Sequence, residues 1–299
     1  MGRSMRVKLK ELGKRVVGRA ATNPIAWPVY RFCGQCSRAL GSVYDRATLT
    51  REIRGRDESL RKLGRELFPQ LIVSGGPFKG MRYPSPQSYG SALLPKLLGS
   101  YESELHRHLE TVLCNEYASI INIGCAEGYY AVGLGLRFPK AEIYAFDIDA
   151  DARRICVELG KLNGVEERLH IGEFCDQATL RSLPLGDRAL IISDCEGYEE
   201  VLFTNEMASV LARHDLIVET HDFINIEISS TLHDIFNRTH QVRSIKSSDD
   251  IEKAHTYQYA QLNPYDTKTK RLILAEGRPA IMEWLVMIGT TQPADRPKS

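Results

Sequence analysis

The sequence lacks the long apolar runs that mark membrane-spanning proteins. No stretch approaches the roughly 18 consecutive apolar residues that a helix needs to cross a bilayer. The first residues are basic, and the compact apolar segment of a signal peptide does not follow them. We therefore predict a cytoplasmic location.

Cysteine is also sparse. The chain of 299 residues contains seven cysteines, an odd number that is scattered along the sequence. This distribution excludes a disulfide-rich extracellular scaffold and favours a reduced protein. Cys33 and Cys36 have the C-x-x-C spacing, but no second such pair completes a zinc site and no strand-to-helix context supports a redox motif. We interpret both as residues of a short N-terminal helix.

The chain as a whole has almost no net charge, but its N-terminal part has an excess of positive charge. The net charge is +1, yet residues 1–70 carry sixteen Lys and Arg against six Asp and Glu, so the remainder carries −9. The acidic remainder excludes nucleic acid as a partner. Residues 1–20 form a basic, weakly amphipathic segment, for which a solvated tail is the first interpretation and weak peripheral contact with an anionic membrane the second.

The main part of the chain alternates between apolar β-rich runs and helical stretches. This pattern predicts an α/β fold with a Rossmann-like, seven-stranded, mostly parallel sheet covered by helices on both faces. The seven predicted strands begin near residues 119, 142, 168, 189, 215, 240 and 281. We assign residues 86–290 to this domain, 1–85 to a mainly helical N-terminal extension with a linker loop, and 291–299 to a disordered tail.

Two further segments can be interpreted from their composition. An apolar face that recurs at spacings of three and four predicts one helix over residues 94–112. The polar stretch 247–279, between the last two predicted strands, is interpreted as an insertion or loop.

A glycine-rich turn follows the first predicted strand, in the stretch 122-NIGCAEGYY-130. A strand, a tight glycine turn and a helix are the usual binding geometry for an adenosyl cofactor, because glycine lets the backbone approach the ligand. Asp147 stands 19 residues after Gly128, where an acidic residue would accept hydrogen bonds from ribose hydroxyls. The turn lacks the G-x-G-x-x-G pattern, which disfavours a dinucleotide.

The turn resembles the first motif of class I S-adenosylmethionine (SAM)-dependent methyltransferases, with Asn122 in place of the usual acidic residue and Ala126 in place of the middle glycine. The stretch 194-DCEGYE-199 resembles the signature of the FkbM-like family, and 75-GGPFKGMRY-83 with 99-GSYESEL-105 is similar to a bacterial subset. The resemblance covers residues 75–290. It implies a SAM site formed by Asn122, Gly124, Cys125, Glu127, Gly128, Asp147, Ile148, Glu173, Asp194, Tyr101 and Glu102.

Acidic side chains and a histidine follow the fourth and fifth predicted strands. Because ligands bind at the carboxyl ends of parallel strands, we predict that these residues converge on one cleft and assign catalysis to Asp194, Glu196 and His221. His221 or a carboxylate would act as general base, or the groups would only orient the acceptor. A Mg²⁺ or Mn²⁺ ion held by Asp194, Glu219 and His221 is the third interpretation.

Two neighbouring glutamates have a simpler interpretation. Glu199 and Glu200 lie one turn inside a predicted helix, where acidic side chains interact favourably with the helix dipole. We predict no chemistry for them.

The resemblance implies an activity but not an acceptor. We predict O-methylation of a hydroxyl on a sugar, glycan or secondary metabolite. One alternative is N-methylation of a small molecule or protein side chain. The other is a SAM-binding partner protein without catalysis, with which Asn122 and Ala126 would be consistent. Homo-oligomerisation is left open.

Overall fold

The computed structural model describes residues 58, 60–86, 88–89 and 91–290. The sequence predictions for residues 1–20, the Cys33 and Cys36 pair and the tail at 291–299 lie outside these residues. The chain divides into two compact units, Met1–Ser59 and Leu60–Ser299. The second unit holds the sheet and the residues from 60 onward that sequence analysis assigned to the extension. No helix among the described residues is long and apolar enough to cross a membrane.

Seven strands form one mixed sheet in the order β3-β2-β1-β4-β5-β7-β6. The first five strands pair in parallel, whereas β7 runs antiparallel to both β5 and β6. The predicted Rossmann-like, mostly parallel architecture is therefore confirmed. The strands are β1 Ser119–Ile123, β2 Glu142–Phe146, β3 Leu169–Gly172, β4 Ala189–Ser193, β5 Asp215–Thr220, β6 His240–Lys246 and β7 Glu283–Gly289.

Helices cover both faces of the sheet. Their bounds are Leu93–Leu98, Ser103–Val112, Tyr129–Arg137, Ala150–Leu162, Gln177–Ser182, Glu199–Leu202, Asn205–Val210, Ile228–Phe236, Asp250–Thr256 and Thr267–Leu274, with 3-10 turns at Glu166–Arg168 and Ala260–Leu262.

Alternate residues of the strands enter two separate cores. Ile120 of β1 and Leu190 of β4 belong to one core, whereas Ile121 and Ile191 belong to the other. Successive side chains of a strand point to opposite faces, so continuous apolar runs such as SIINI and ALIIS fill both cores at once. Burial on both faces fixes the central strands and hence the position of their carboxyl ends.

The single helix predicted over residues 94–112 is wrong, because the structure contains two helices. The first helix ends at Gly99, which has a φ of 82° and closes the turn with a hydrogen bond to Pro95. A Cβ at Gly99 would lie 2.2 Å from the backbone of Gly75, so only glycine fits. Glu102, with a φ of 49°, starts the second helix. The break places Tyr101 and Glu102 in a turn beside the cavity described below.

The polar stretch 247–279 is not a simple loop, since it contains the helices Asp250–Thr256 and Thr267–Leu274. Asp249 and Asp266 cap these helices by accepting hydrogen bonds from backbone N–H groups of the first turns. The polar composition reflects these caps and the exposed helix faces. Ile273 and Leu274 join the core of the domain.

Candidate functional site

One row of residues runs across the carboxyl edge of the sheet. Gly172, Phe146, Ile123, Ser193 and Val218 are in register on β3, β2, β1, β4 and β5. The residue after each of these lines one cavity of about 520 Å³. Trp284 of β7, which pairs with Glu219 of β5, lines the same cavity. In order across the sheet, this edge row is Glu173, Asp147, Gly124, Asp194, Glu219 and Trp284. Strands lie about 4.8 Å apart, so this row orders the polar groups along the cavity.

The glycine turn lies in the middle of the row and is built by close backbone contacts. Gly124 has a φ of 74°, and a Cβ there would lie 1.7 Å from the carbonyl oxygen of Asp194. Gly128 has a φ of 95°, and its Cβ would lie 2.6 Å from Cys156 Sγ. Both glycines are therefore required by packing as well as by conformation. They bring the turn against the backbone after β4 and against the helix Ala150–Leu162, and so form the wall of the cavity.

Ala126, at the centre of the turn, has a φ of 46°, a region that L-residues other than glycine rarely adopt. Its backbone N–H donates a hydrogen bond of 2.8 Å to Asp147 Oδ2. Asp147 Oδ1 accepts a second hydrogen bond, of 2.9 Å, from the backbone of Asp149. Asp147 thus stabilises the turn, and its carboxylate retains acceptor capacity for a ligand, since each oxygen has two lone pairs.

The strain at Ala126 gives a test of the turn geometry. We expect Ala126→Gly to stabilise the protein by about 1 kcal/mol, because glycine adopts positive φ without steric cost. Ala131→Gly, inside the helix Tyr129–Arg137, is expected to destabilise the protein, since glycine weakens a helix interior by about 1 kcal/mol. Urea unfolding of both variants checks the prediction, and destabilisation by Ala126→Gly would contradict it.

Asn122 Oδ1 and Glu127 Oε2 are buried acceptors of cavity-lining residues, and neither has a hydrogen-bond donor among the described residues. The other oxygen of Glu127 receives three donors, namely Lys96 Nζ, Ser88 Oγ at 2.8 Å and Tyr83 Oη at 3.5 Å. Unsatisfied buried polar atoms are costly, and a ligand that brings donors would satisfy them. The cavity is therefore suited to a ligand with polar hydrogens at this end.

A histidine–carboxylate pair stands behind the end of β4. His221 Nδ1 lies 2.7 Å from Oε1 of Glu199, and both side chains are buried. The other ring nitrogen, Nε2, lies 3.4 Å from Asp194 Oδ1 and 3.5 Å from Glu196 Oε2. Burial alone lowers the pKa of His221, but hydrogen bonds to Asp194 and Glu199 outweigh it and raise the pKa to about 10. His221 is thus an imidazolium at neutral pH.

Asp194 and Glu196 connect this pair to the cavity. Their side chains are 43% and 79% exposed and line the cavity, whereas His221 is only 3% exposed. Glu196 has a φ of 53°, a strained backbone conformation for a residue other than glycine. One ligand atom from each of Asp194, Glu196 and His221 lies within 4.8 Å of the others. The structure brings together the three residues predicted for catalysis.

Glu219 was predicted as a metal ligand with Asp194 and His221, but it lies in a different cluster. It pairs with Arg278 Nη1, and Arg278 also donates to Glu102 at 2.7 Å and to Glu276 at 2.8 Å. Burial and the charge of Asp194 raise the pKa of Glu219 above its usual range, and Arg278 opposes this shift. Glu196 takes its place in the group that includes His221.

The residues predicted for the cofactor surround the cavity. Those that line it are Asn122, Gly124, Cys125, Glu127, Asp147, Ile148, Glu173, Asp194, Tyr101 and Glu102. Gly128 is not among the lining residues, and its role is to pack the turn against Cys156. Phe174 and Ile148 are exposed apolar side chains at the cavity, at the same end as Glu173.

Four residues of the site were missed or misinterpreted. Glu199, interpreted as a helix-start residue, is completely buried against His221. The sequence around Glu199 does not indicate this burial, because its partner His221 follows a different strand, β5. Lys96 lies on the apolar face of its helix, a position that could have indicated a buried ion pair. Arg278 and Glu276 lie near the end of the polar stretch 247–279, where no sequence pattern distinguishes them.

No protein-family model and no curated protein sequence matches the chain. Similar solved structures include precorrin-6y C5,15-methyltransferase from Geobacter metallireducens GS-15, with 11% identity, a TM-score of 0.41 and coverage of 62% of this chain and 88% of that one. The C-terminal domain of precorrin-6Y C5,15-methyltransferase from Rhodobacter capsulatus has 14% identity, a TM-score of 0.39 and coverage of 60% and 87%. TrmN from Thermus thermophilus has 12% identity, a TM-score of 0.39 and coverage of 61% and 47%. Similarity at these identities and TM-scores does not identify a reaction, so the residues of the site are the basis for the function proposed below.

Proposed function

We propose that this protein is a SAM-dependent methyltransferase that O-methylates a hydroxyl group of a sugar or secondary metabolite. The observation that carries this proposal is the row Glu173, Asp147, Gly124, Asp194 and Glu219 across one cavity. Along this row Asp147 would accept hydrogen bonds from ribose hydroxyls, Gly124 belongs to the glycine turn, and Asp194 would take part in acid–base chemistry. The volume of about 520 Å³ is in the range of pockets that enclose a small ligand.

The residues present fit an adenosyl ligand with an amino-acid end. Asp147 would accept from the ribose hydroxyls, and Ile148, Phe174 and Glu173 would hold the adenine. Asn122 Oδ1 and Glu127 Oε2, which are buried and have no donors, would accept from the ammonium group. When bound, SAM supplies an electrophilic methyl group on a sulfonium sulfur.

The chain's own residues would position the acceptor and remove its proton. Asp194 lines the cavity beside the turn and would accept a hydrogen bond from the acceptor hydroxyl. His221 Nε2 lies next to Asp194, and Glu199 fixes the ring through Nδ1. The ring is buried and does not line the cavity, so the deprotonated ring would take the hydroxyl proton through Asp194, which accepts it and passes it to Nε2. Because His221 is an imidazolium in the free protein, the active form requires loss of that proton.

A divalent cation is the second candidate for activating the hydroxyl. Asp194, Glu196 and His221 provide two carboxylates and one imidazole within 4.8 Å, a set of ligands that suits Mg²⁺ or Mn²⁺. An ion there would require the His221 proton to be released. Loss of methyl transfer in chelator, restored by Mg²⁺ or Mn²⁺, would support this alternative, and full activity in chelator would exclude it.

Calorimetric titration tests the proposal. We expect the full chain to bind both SAM and S-adenosylhomocysteine, and Asp147→Ala to lower affinity for both by at least about tenfold, because it removes ribose contacts and a hydrogen bond to the turn. Asp151→Ala, an exposed position in the next helix, is the control and should leave the affinity unchanged. Failure of the unmodified protein to bind either ligand would end the methyltransferase proposal. Unchanged affinity in Asp147→Ala would end the ribose assignment.

Transfer of radiolabelled methyl groups to a panel of acceptors then tests the reaction. Hydroxylated sugars and phenolic metabolites are expected to be methylated. If only amines were methylated, the alternative of an N-methyltransferase would be correct. If the protein bound SAM but transferred no methyl group to water-soluble sugars, metabolites or amines, a SAM-binding partner protein would be favoured.

A further inference from the structure

The far end of the cavity is built around a partly buried arginine. Arg278 lies in the segment before β7, and its guanidinium donates to Glu102, Glu219 and Glu276. It also stacks on Trp284, with 4.6 Å between the guanidinium carbon and the ring centre. A guanidinium has a fixed fork of donors, so these contacts hold three carboxylates in set positions.

The cations and the carboxylates of this cluster occupy different layers. Glu102 and Glu219 line the cavity, whereas Arg278 and Glu276 are not among its lining residues. Lys253 is buried and pairs with Glu276 and, at 3.4 Å, with Glu104. The cations therefore stand behind the cavity wall, and the carboxyl groups of Glu102 and Glu219 face the cavity.

The cluster also holds more carboxyl groups than cations. Arg278 and Lys253 are shared among four carboxyl groups, and Asp194 adds another at the adjacent strand end. Burial raises the pKa of both Glu102 and Glu219, and the charge of Arg278 opposes this shift. A positively charged group in the cavity would likewise favour the ionised carboxylates and be attracted to them, whereas a neutral group would not.

We propose that Glu102 and Glu219, held by Arg278, recognise positive charge at the reacting end of the bound ligand. Glu219 lies one strand beyond Asp194 in the edge row, on the side away from the predicted ribose site. The wall therefore favours a sulfonium or ammonium group over a neutral thioether. This inference rests on the proposed function, and it means that the methylated donor binds more tightly than the demethylated product.

Three ligands of nearly equal shape test the inference. SAM carries a sulfonium, sinefungin carries an ammonium group at the corresponding position, and S-adenosylhomocysteine is neutral there. By calorimetry, the unmodified protein is expected to bind SAM and sinefungin about tenfold more tightly than S-adenosylhomocysteine. In Glu219→Gln this preference should fall to about twofold or less, with affinity for S-adenosylhomocysteine unchanged.

Glu276→Gln is the matched control. It also removes one carboxylate partner of Arg278, but from behind the wall, so the preference for charged ligands should be retained. Equal loss of preference in both variants would overturn the inference, as would equal or tighter binding of S-adenosylhomocysteine by the unmodified protein. The comparison within the unmodified protein decides the matter even if a variant does not fold. Binding of none of the three ligands would instead refute the proposed function.

Discussion

Gly124→Ala is expected to destabilise the protein severely and to abolish ligand binding. The added Cβ would lie 1.7 Å from the carbonyl oxygen of Asp194 and 2.7 Å from its carbonyl carbon. Both atoms belong to the backbone, so no side-chain rotation relieves the clash. The turn would have to move away from β4, which distorts the cavity wall and the strand pairing beside it. We expect a loss of at least about 3 kcal/mol in the free energy of unfolding.

Gly164→Ala is the control that separates the destabilisation caused by the steric clash from the destabilisation caused by a positive φ. Gly164 has a φ of 69°, close to the 74° of Gly124, but an added Cβ there would meet nothing within 4 Å. Its cost should be only the conformational one, about 1 to 2 kcal/mol. Urea unfolding of both variants, together with titration of S-adenosylhomocysteine, measures the difference. Equal destabilisation of the two variants would show that the contact between Gly124 and Asp194 is not as close as the structure has it.

The sequence was sufficient to predict the strands and the residues at their carboxyl ends. Continuous apolar runs predicted the central strands β1, β4 and β5, because burial on both faces demands such residues. Outer strands such as β6, with the sequence HQVRSIK, are partly exposed and were predicted from weaker β-rich patterns. The strand ends then predicted the edge row, since residues after parallel strands meet at one edge. Local patterns and their position in the chain were enough to predict that Asp147, Asp194 and His221 lie near this edge of the sheet.

The remaining parts of the site depend on contacts between distant segments. Gly99 breaks a helix that periodicity predicts as continuous, because Tyr101 and Leu105 keep facing the same core after the break. Arg278 meets Glu102 across 176 positions of the chain, and no single-sequence pattern encodes such a distance. The role of Glu199 as a partner of His221 follows only from the folded structure, in which the two side chains are in contact. These residues hold the functional groups in position, and their roles follow from tertiary packing.

Replacing His221 is expected to produce the largest loss of activity. His221→Gln keeps an amide near both Glu199 and Asp194 but cannot accept the acceptor's proton. We expect methyl transfer to fall by about a hundredfold to ten-thousandfold, the usual contribution of a general base, while the affinity for SAM stays within about twofold. Single-turnover assays with labelled SAM measure the first quantity, and calorimetry measures the second. Full activity of this variant would favour N-methylation, in which an amine attacks as its free base.

The pH dependence of the rate distinguishes a base from a residue that only supports the fold. The pKa of His221 is raised to about 10, so the imidazolium loses its proton as pH rises toward that value and the reactive form increases. The rate should therefore increase with pH up to about 10 in the unmodified protein, and the profile of His221→Gln should lack this limb. Glu199 is one of the groups that raise the pKa of His221. In Glu199→Gln the rising limb should accordingly move to lower pH, whereas a purely structural role for Glu199 would lower the rate equally at every pH.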